Sequence, residues 1–271
     1  MKRIIVYLLV TFICITSLVP FFWMVKTSFQ TIQEINTVPP IIIPAKINWI
    51  NYYNGLFKYM DFPRLFLNTG IISLSILVGH LLSAGFVAYP FAFLRFPGRN
   101  TIFAVMMATM MLPHSVTLVP LYLIFTKLGW INTFLPLAVP AYLGWPFFIF
   151  LMRQFMMGIP HDLLDSSRLD GCREPYIWAK IIIPLCKPAL VTVGIFSIVG
   201  SWGDFMRPLL YLRDQSKYTI SLGLQLMQGL DRVFWNDIMA MAALATVLPL
   251  LLLLFFQRYF VEGVTYSGLK D

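Results

Sequence analysis

Between Arg3 and Lys26 the chain carries no charged side chain, and the same is true from Leu65 to Leu94, Thr101 to Thr126, Leu128 to Met152 and Ile238 to Gln257. Crossing a hydrocarbon layer about 30 Å thick takes roughly 20 mostly apolar residues in one helix. Because lipid offers no partner to a free backbone N–H or C=O, such runs must be helical. A further run begins at Pro188, or earlier near Ile181, and reaches full length only by continuing past Asp204 and Arg207 to about Leu212. The patterning therefore predicts an all-α polytopic membrane protein with six transmembrane helices. Composition agrees: 59% of residues are hydrophobic and only 12% charged, against about 25% charged in soluble domains.

Several function classes are excluded by what is missing. Cys14, Cys172 and Cys186 form no close-spaced pair or metal-ligand cluster, so neither a disulfide scaffold nor a zinc site is expected. The net charge of +8 fits anionic lipid headgroups, and no nucleic-acid partner is expected. No G-x-x-x-x-G-K-[ST] phosphate loop and no H-E-x-x-H occur, so no cofactor-binding, metal or catalytic site is assigned to this chain. The apolar run after Lys2 and Arg3 ends in P-F-F-W-M-V-K without a small-x-small cleavage site, which favours an uncleaved anchor. Six spans put both termini on one side, and the slight excess of Lys and Arg in the segments assigned inward makes that side cytoplasmic.

The expected domains are an N-terminal helix with an outer-face loop over 1–64, a transmembrane domain over 65–260 holding a cytoplasmic loop at about 154–187, and a cytoplasmic tail over 261–271. The outer loop, with Pro39, Pro40 and Pro44 before the aromatic N-W-I-N-Y-Y, reads as a segment lying along the headgroups. Prolines at 90, 113, 120, 136, 140, 146 and 249 fall inside the expected spans and are candidate bends.

The inner loop concentrates charge and helix punctuation. Pro160 is suited to start a short helix, with Asp162 and Asp165 near its positive end. Gly171 ends it in the left-handed conformation that other residues enter at a cost of about 1–2 kcal/mol. A second helix is expected from about Arg173 to Ile183, with Tyr176, Ile177 and Lys180 on one face, before Pro184 and Pro188. Ser166 and Ser167 are small enough for close approach of another protein, and Leu163, Leu164 and Leu169 offer an apolar edge. Such a helical hairpin is either a docking element or an amphipathic loop packed on its own headgroups.

The run D165-S-S-R-L-D-G171, followed nine residues later by I181-I-I-P184, resembles the signature of permease subunits of bacterial ATP-binding-cassette importers. In place of that family's usual Glu-Ala-Ala stand Asp165, Ser166 and Ser167, and Ile183 takes the place of Leu. N-T-G at 68–70, A-Y-P-F-A-F-L-R-F-P-G-R-N at 88–100, M-M-L-P-H-S-V-T-L-V-P-L-Y at 110–122, S-W-G-D-F-M-R-P-L at 201–209 and Q-R-Y-F-V-E-G-V-T-Y-S-G-L-K at 257–270 resemble the carbohydrate branch, similar to permeases for maltose-type oligosaccharides and glycerol phosphate. The resemblance implies a permease forming half of a translocation pathway in the bacterial inner membrane. It also implies two cytoplasmic ATPase subunits carrying ATP and Mg, a second permease subunit and an extracytoplasmic solute-binding protein. Asp165, Ser166, Ser167, Asp170, Gly171, Ile181 and Pro184 become the candidates for coupling to the ATPase.

Ionisable groups at membrane depth nominate His80 and Asp204 as pathway residues, and Trp202 as a ring on which a sugar could stack. Each has a structural rival: His80 can bond across helices, Asp204 can pair with Arg207 three residues on, and Trp202 can serve as an interface anchor. An ion-driven secondary transporter is the competing function, with an importer of a non-sugar solute as a variant. It would want inverted repeats and buried acids.

Overall fold

The computed structural model describes residues 2–229 and 233–268, without the side chains of 2, 114 and 258–268. Among the described residues all regular structure is helical: α1 (Lys2–Ser28), α2 (Ile32–Ile35), α3 (Ile50–Phe57), α4 (Phe62–Phe93), α5 (Arg99–Thr109), α6 (His114–Lys127), α7 (Leu135–Ala138), α8 (Pro146–Met156), α9 (His161–Leu169), α10 (Glu174–Tyr176), α11 (Ile183–Leu185), α12 (Lys187–Trp202), α13 (Met206–Tyr211), α14 (Ile220–Met227) and α15 (Trp235–Gly268). Four segments are long and apolar enough to cross a membrane: Arg3–Ser28, Phe62–Phe93, Leu135–Met156 and Trp235–Gln257. The pair Glu174–Leu185 and Lys187–Trp202, bent by 77°, supplies a fifth if it acts as one span.

The remaining apolar window, 101–126, is delivered as two helices, α5 and α6, because Pro113 sits as the N-cap of α6 with extended ψ 136. Pro136, Pro140 and Pro146 likewise occupy first turns, of α7, of the 3-10 helix Val139–Leu143 and of α8. There the missing N–H breaks no helical bond, so these prolines start helices instead of bending them. Pro90 and Pro249 do lie inside long helices. The span expected to open at Leu128 opens at Leu135. The intervening residues form a turn with positive φ at Gly129 and Asn132, held by Asn132 Oδ1, which accepts from the N–H groups of Arg213 and Asp214 at 3.2 and 3.1 Å.

The chain divides into two compact units. The first comprises Met1–Leu67 and Thr219–Leu248. In it α1 exposes nearly all its large apolar side chains, Tyr7 at 71% among them, a surface matched to lipid or to a partner helix. Its end is tied down by buried Asn51, whose Nδ2 donates to the carbonyls of Ser28 and Gln30 at 2.8 and 2.9 Å. Asn236 in turn donates to Asn51 Oδ1 at 2.8 Å. Gly55 sits where α3 meets α15, and a Cβ there would lie 2.7 Å from the Met241 side chain, which would have to shift.

The second unit comprises Asn68–Tyr218 and Pro249–Asp271. Its main core joins α4 (Ala84, Ala88, Tyr89), α8 (Ile149, Met152, Met156), Leu164 of α9, Ile177 and Ile182 between α10 and α11, and Val193 of α12. The small residues on α4 let other elements approach closely: a Cβ on Gly79 would lie 2.8 Å from the Tyr142 ring. The tail expected over 261–271 is helical to Gly268, and its last three residues lie outside the described residues.

Candidate functional site

Two places gather the residues singled out by sequence, and both lie within the second unit. The first is the hairpin. Pro160 precedes α9 with ψ 132, and its carbonyl accepts from Leu163 N–H. At the other end Gly171 takes φ +80, while Gly171 N–H donates to Arg168 O at 3.0 Å and Cys172 N–H to Ser167 O at 3.1 Å. That pair of bonds is a Schellman stop, in which a left-handed residue caps the last carbonyls. The return strand of the hairpin runs through α10, a π-helical turn over Ile177–Ile182 and α11. Its start at Glu174 is one residue from the expected Arg173.

Burial sorts this hairpin into a root and a rim. Leu164 and Ile177 are fully buried and Ser167 is 7% exposed, with the Ser167 hydroxyl donating to Leu163 O at 2.6 Å. Asp165, Ser166, Asp170 and Gly171 are exposed, as is Leu169 at 89%. The edge expected from Leu163, Leu164 and Leu169 is thus only partly outward, since Leu164 turns into the core. Tyr176 and Lys180 face out while Ile177 does not, because neighbours one apart on a helix point about 100° apart. Ile181 is half-buried against the core and Pro184 is exposed in the first turn of α11.

A charge clamp not apparent in the sequence locks the two arms. Arg168 binds Asp165 at 3.0 Å and Glu174 at 2.9 Å, and Tyr89 of α4 donates to Glu174. The Glu174 carboxylate is the chief reason that the Arg168 guanidinium is pushed further toward its charged form. Trp178 adds a second tie to α4, its indole N–H donating to Gly85 O at 3.0 Å. The Arg168–Glu174 spacing of six residues follows no helical period, so only the folded turn could reveal it.

The second place is a cavity of about 470 Å³ lined by His80 of α4, Phe148 of α8, Ser201 of α12 and Arg207 of α13, with Trp145 just before α8 and Asp204 between α12 and α13. It brings His80 and Asp204 to one wall system. His80 Nδ1 lies 2.9 Å from Ser197 Oγ on α12 and its ring packs edge-on against Phe148 at 4.8 Å. Asp204 and Arg207 pair at 2.5 Å. Trp202 is 8% exposed, and the indole on the cavity wall belongs to Trp145. Trp145 stands just after Gly144, whose φ of +100 breaks the span. Among the described residues no three or more His, Cys, Asp or Glu come together as a metal-binding group.

These arrangements are those of a known transport fold. The arabinooligosaccharides transport system permease protein AraQ of Halalkalibacterium halodurans is 32% identical over 264 residues, 96% of this chain and 93% of its own. The trehalose/maltose transport system permease protein MalG of Thermococcus litoralis is 28% identical over 274 residues, 100% of this chain and 98% of its own. A chain in the crystal structure of a bacterial ABC transporter involved in the import of the acidic polysaccharide alginate superposes with a TM-score of 0.82 at 19% identity, covering 95% of this chain and 96% of that one. The fold is that of an ABC importer permease. With residues 66–266 matched by the family described as binding-protein-dependent transport system inner membrane component, the chain belongs to that family of membrane transport subunits.

Proposed function

We propose that this chain is one permease subunit of an ATP-driven importer for a sugar or sugar-like solute, forming half of the translocation pathway. The observation that carries the coupling role is the sorting of the hairpin. Its root is welded to α4 by Leu164, Ile177 and the Arg168–Glu174–Tyr89 chain, while Asp165, Ser166, Asp170, Gly171 and Leu169 project from it. A rigid root with an exposed rim can carry a displacement from a foreign subunit to the membrane helices. Leu169, 89% exposed on that rim, offers the foreign subunit an apolar contact. Buried Ser167 and half-buried Ile181 shape the lever from within, and Pro184 starts the turn of α11 at its end.

In this reading two cytoplasmic ATPases hold ATP and Mg, a second permease completes the pathway, and a solute-binding protein delivers cargo from outside. Both termini are cytoplasmic in the bacterial inner membrane. Residues 1–64 form the first span and outer loop, 65–260 the transport domain and 261–271 the inner tail. The carbohydrate assignment is supported by the transported solutes in the names of the relatives and by the cavity, where Trp145 offers a ring face beside the polar His80, Asp204 and Arg207. That mixture suits a molecule with C–H faces and hydroxyl edges.

A photoreactive benzoylphenylalanine at position 169 tests the coupling. An adduct with the ATPase in the assembled transporter is expected, and adducts with lipid or this chain alone refute it. Uptake of arabino-oligosaccharides, maltose and trehalose into proteoliposomes, requiring ATP and the binding protein, tests the solute class.

A further inference from the structure

The hydrogen bonds around His80 fix which of its ring nitrogens carries the proton. Ser197 Oγ lies 2.7 Å from Val193 O, one turn back on α12, and two oxygens that close need a proton between them, which only the hydroxyl can supply. The same hydroxyl oxygen lies 2.9 Å from His80 Nδ1. With its proton committed to Val193, Ser197 Oγ can only accept there, so Nδ1 carries the N–H. His80 forms no ion pair among the described residues, and a neutral imidazole with its proton on Nδ1 has a bare lone pair on Nε2. Nε2 makes no hydrogen bond among the described residues and, unlike the sealed Ser73 Oγ on the same helix, it is not shut away from the cavity that its ring lines.

The other polar groups of that wall share the bias. Ser201 Oγ donates to Ile198 O at 3.1 Å, which leaves it only lone pairs to offer. Asp204 accepts from Arg207 Nε at 2.5 Å and from the Arg207 backbone N–H at 3.4 Å. Carboxylate and guanidinium are thus each other's counter-charge, the wall carries no net charge, and Ile76, Leu137 and Met206 beside them are apolar. Such a wall asks its occupant for O–H donors. An ionised carboxylate or phosphate placed there would lose its water with no free cation to meet it.

We infer that His80 Nε2 is the specificity-determining acceptor for a hydroxyl of a neutral sugar ring seated on Trp145, and that the cavity turns anionic sugars away. The Trp145 ring centroid lies 6.2 Å from that of His80, so one sugar ring can rest a C–H face on the indole and donate an O–H to the imidazole. The choice of a sugar rests on the carbohydrate-importer reading above, while the acceptor and the balanced charge come from the cavity alone.

The test uses the complete transporter with its binding protein in proteoliposomes, where ATP-driven uptake of arabinotriose, maltose and trehalose identifies a carried sugar. Binding of that sugar, tritium-labelled, is then measured by equilibrium dialysis against the same transporter in nanodiscs without the binding protein, so that only the membrane site is read. His80→Asn keeps a donor at the Nδ1 position and loses the acceptor, and should raise the sugar concentration for half-saturation about tenfold. His80→Gln, whose amide oxygen reaches the Nε2 position, should recover most of that loss. Digalacturonate and trehalose 6-phosphate should fail to displace the sugar from the parent at concentrations where the unlabelled sugar does. Equal half-saturation in His80→Asn and the parent, no saturable binding to a parent that carries the sugar, or displacement by either anion overturns the role of His80 and of the cavity and leaves the importer reading standing. A parent that carries none of the sugars offered overturns both.

Discussion

Replacing Gly171 separates the conformational cost of the hairpin turn from every other contribution, because a Cβ built there meets nothing within 4 Å. Gly171→Ala therefore adds no clash, and its whole cost is that of holding an L residue at φ +80, about 1–2 kcal/mol. Gly171→Asn should cost less, since a short polar side chain tolerates this region. Gly171→Pro differs in kind. Its ring fixes φ near −65°, and it removes the N–H that donates to Arg168 O at 3.0 Å, so the stop cannot form, at about 3 kcal/mol or more. The order of coupling efficiency should be Gly, then Asn, then Ala, with Pro inactive. The assay is ATP hydrolysis stimulated by solute-loaded binding protein, run beside co-purification of the ATPase. An Ala variant loses about five- to thirtyfold in the population of the native turn relative to its opened form, which a rigid root should partly offset. Normal uptake by Gly171→Pro with the ATPase retained would refute the reasoning, as would Ala and Pro behaving alike.

Leu164→Ala, at a fully buried position beneath the hairpin, should destabilise by about 2–5 kcal/mol, read as a lower Tm in detergent, while Leu169→Ala on the exposed rim should leave Tm unchanged and weaken ATPase association. Asp204→Asn removes the negative charge that pairs with Arg207 at 2.5 Å and should lower uptake on the order of tenfold with the transporter still assembled; unchanged kinetics would remove Asp204 from the pathway. Donation from the backbone N–H groups of Thr31 and Ala45 holds the Glu34 carboxyl below its ordinary value. Its contribution to the outer loop is therefore present above the ordinary carboxylate pKa and lost as pH falls through the folded value. This exposed contribution should be small, seen as an acid-side change in tryptophan fluorescence that Glu34→Gln abolishes.

The long uncharged runs required helices in lipid, and Pro160, Gly171 and the spacing to Pro184 marked out the hairpin, because breakers and left-handed residues act through the backbone of their own neighbourhood. Span ends were less legible. Pro113 and Pro146 read alike in a hydropathy pattern whether they bend a helix or begin one, and the difference lies in whether the preceding turn is itself helical, which neighbouring elements decide. Which leucine of α9 faces out was likewise undecided until the rest of the core was in place: Leu164 and Leu169 have the same chemistry, and only packing against Ile177 separates them. The same holds for Trp145 over Trp202 at the cavity and for the Arg168–Glu174–Tyr89 chain. Local order along the chain determined that this protein is a bundle of membrane helices with a punctuated loop. Tertiary structure alone decided which polar groups meet, since pairing in a low-dielectric interior depends on distances between residues far apart in sequence.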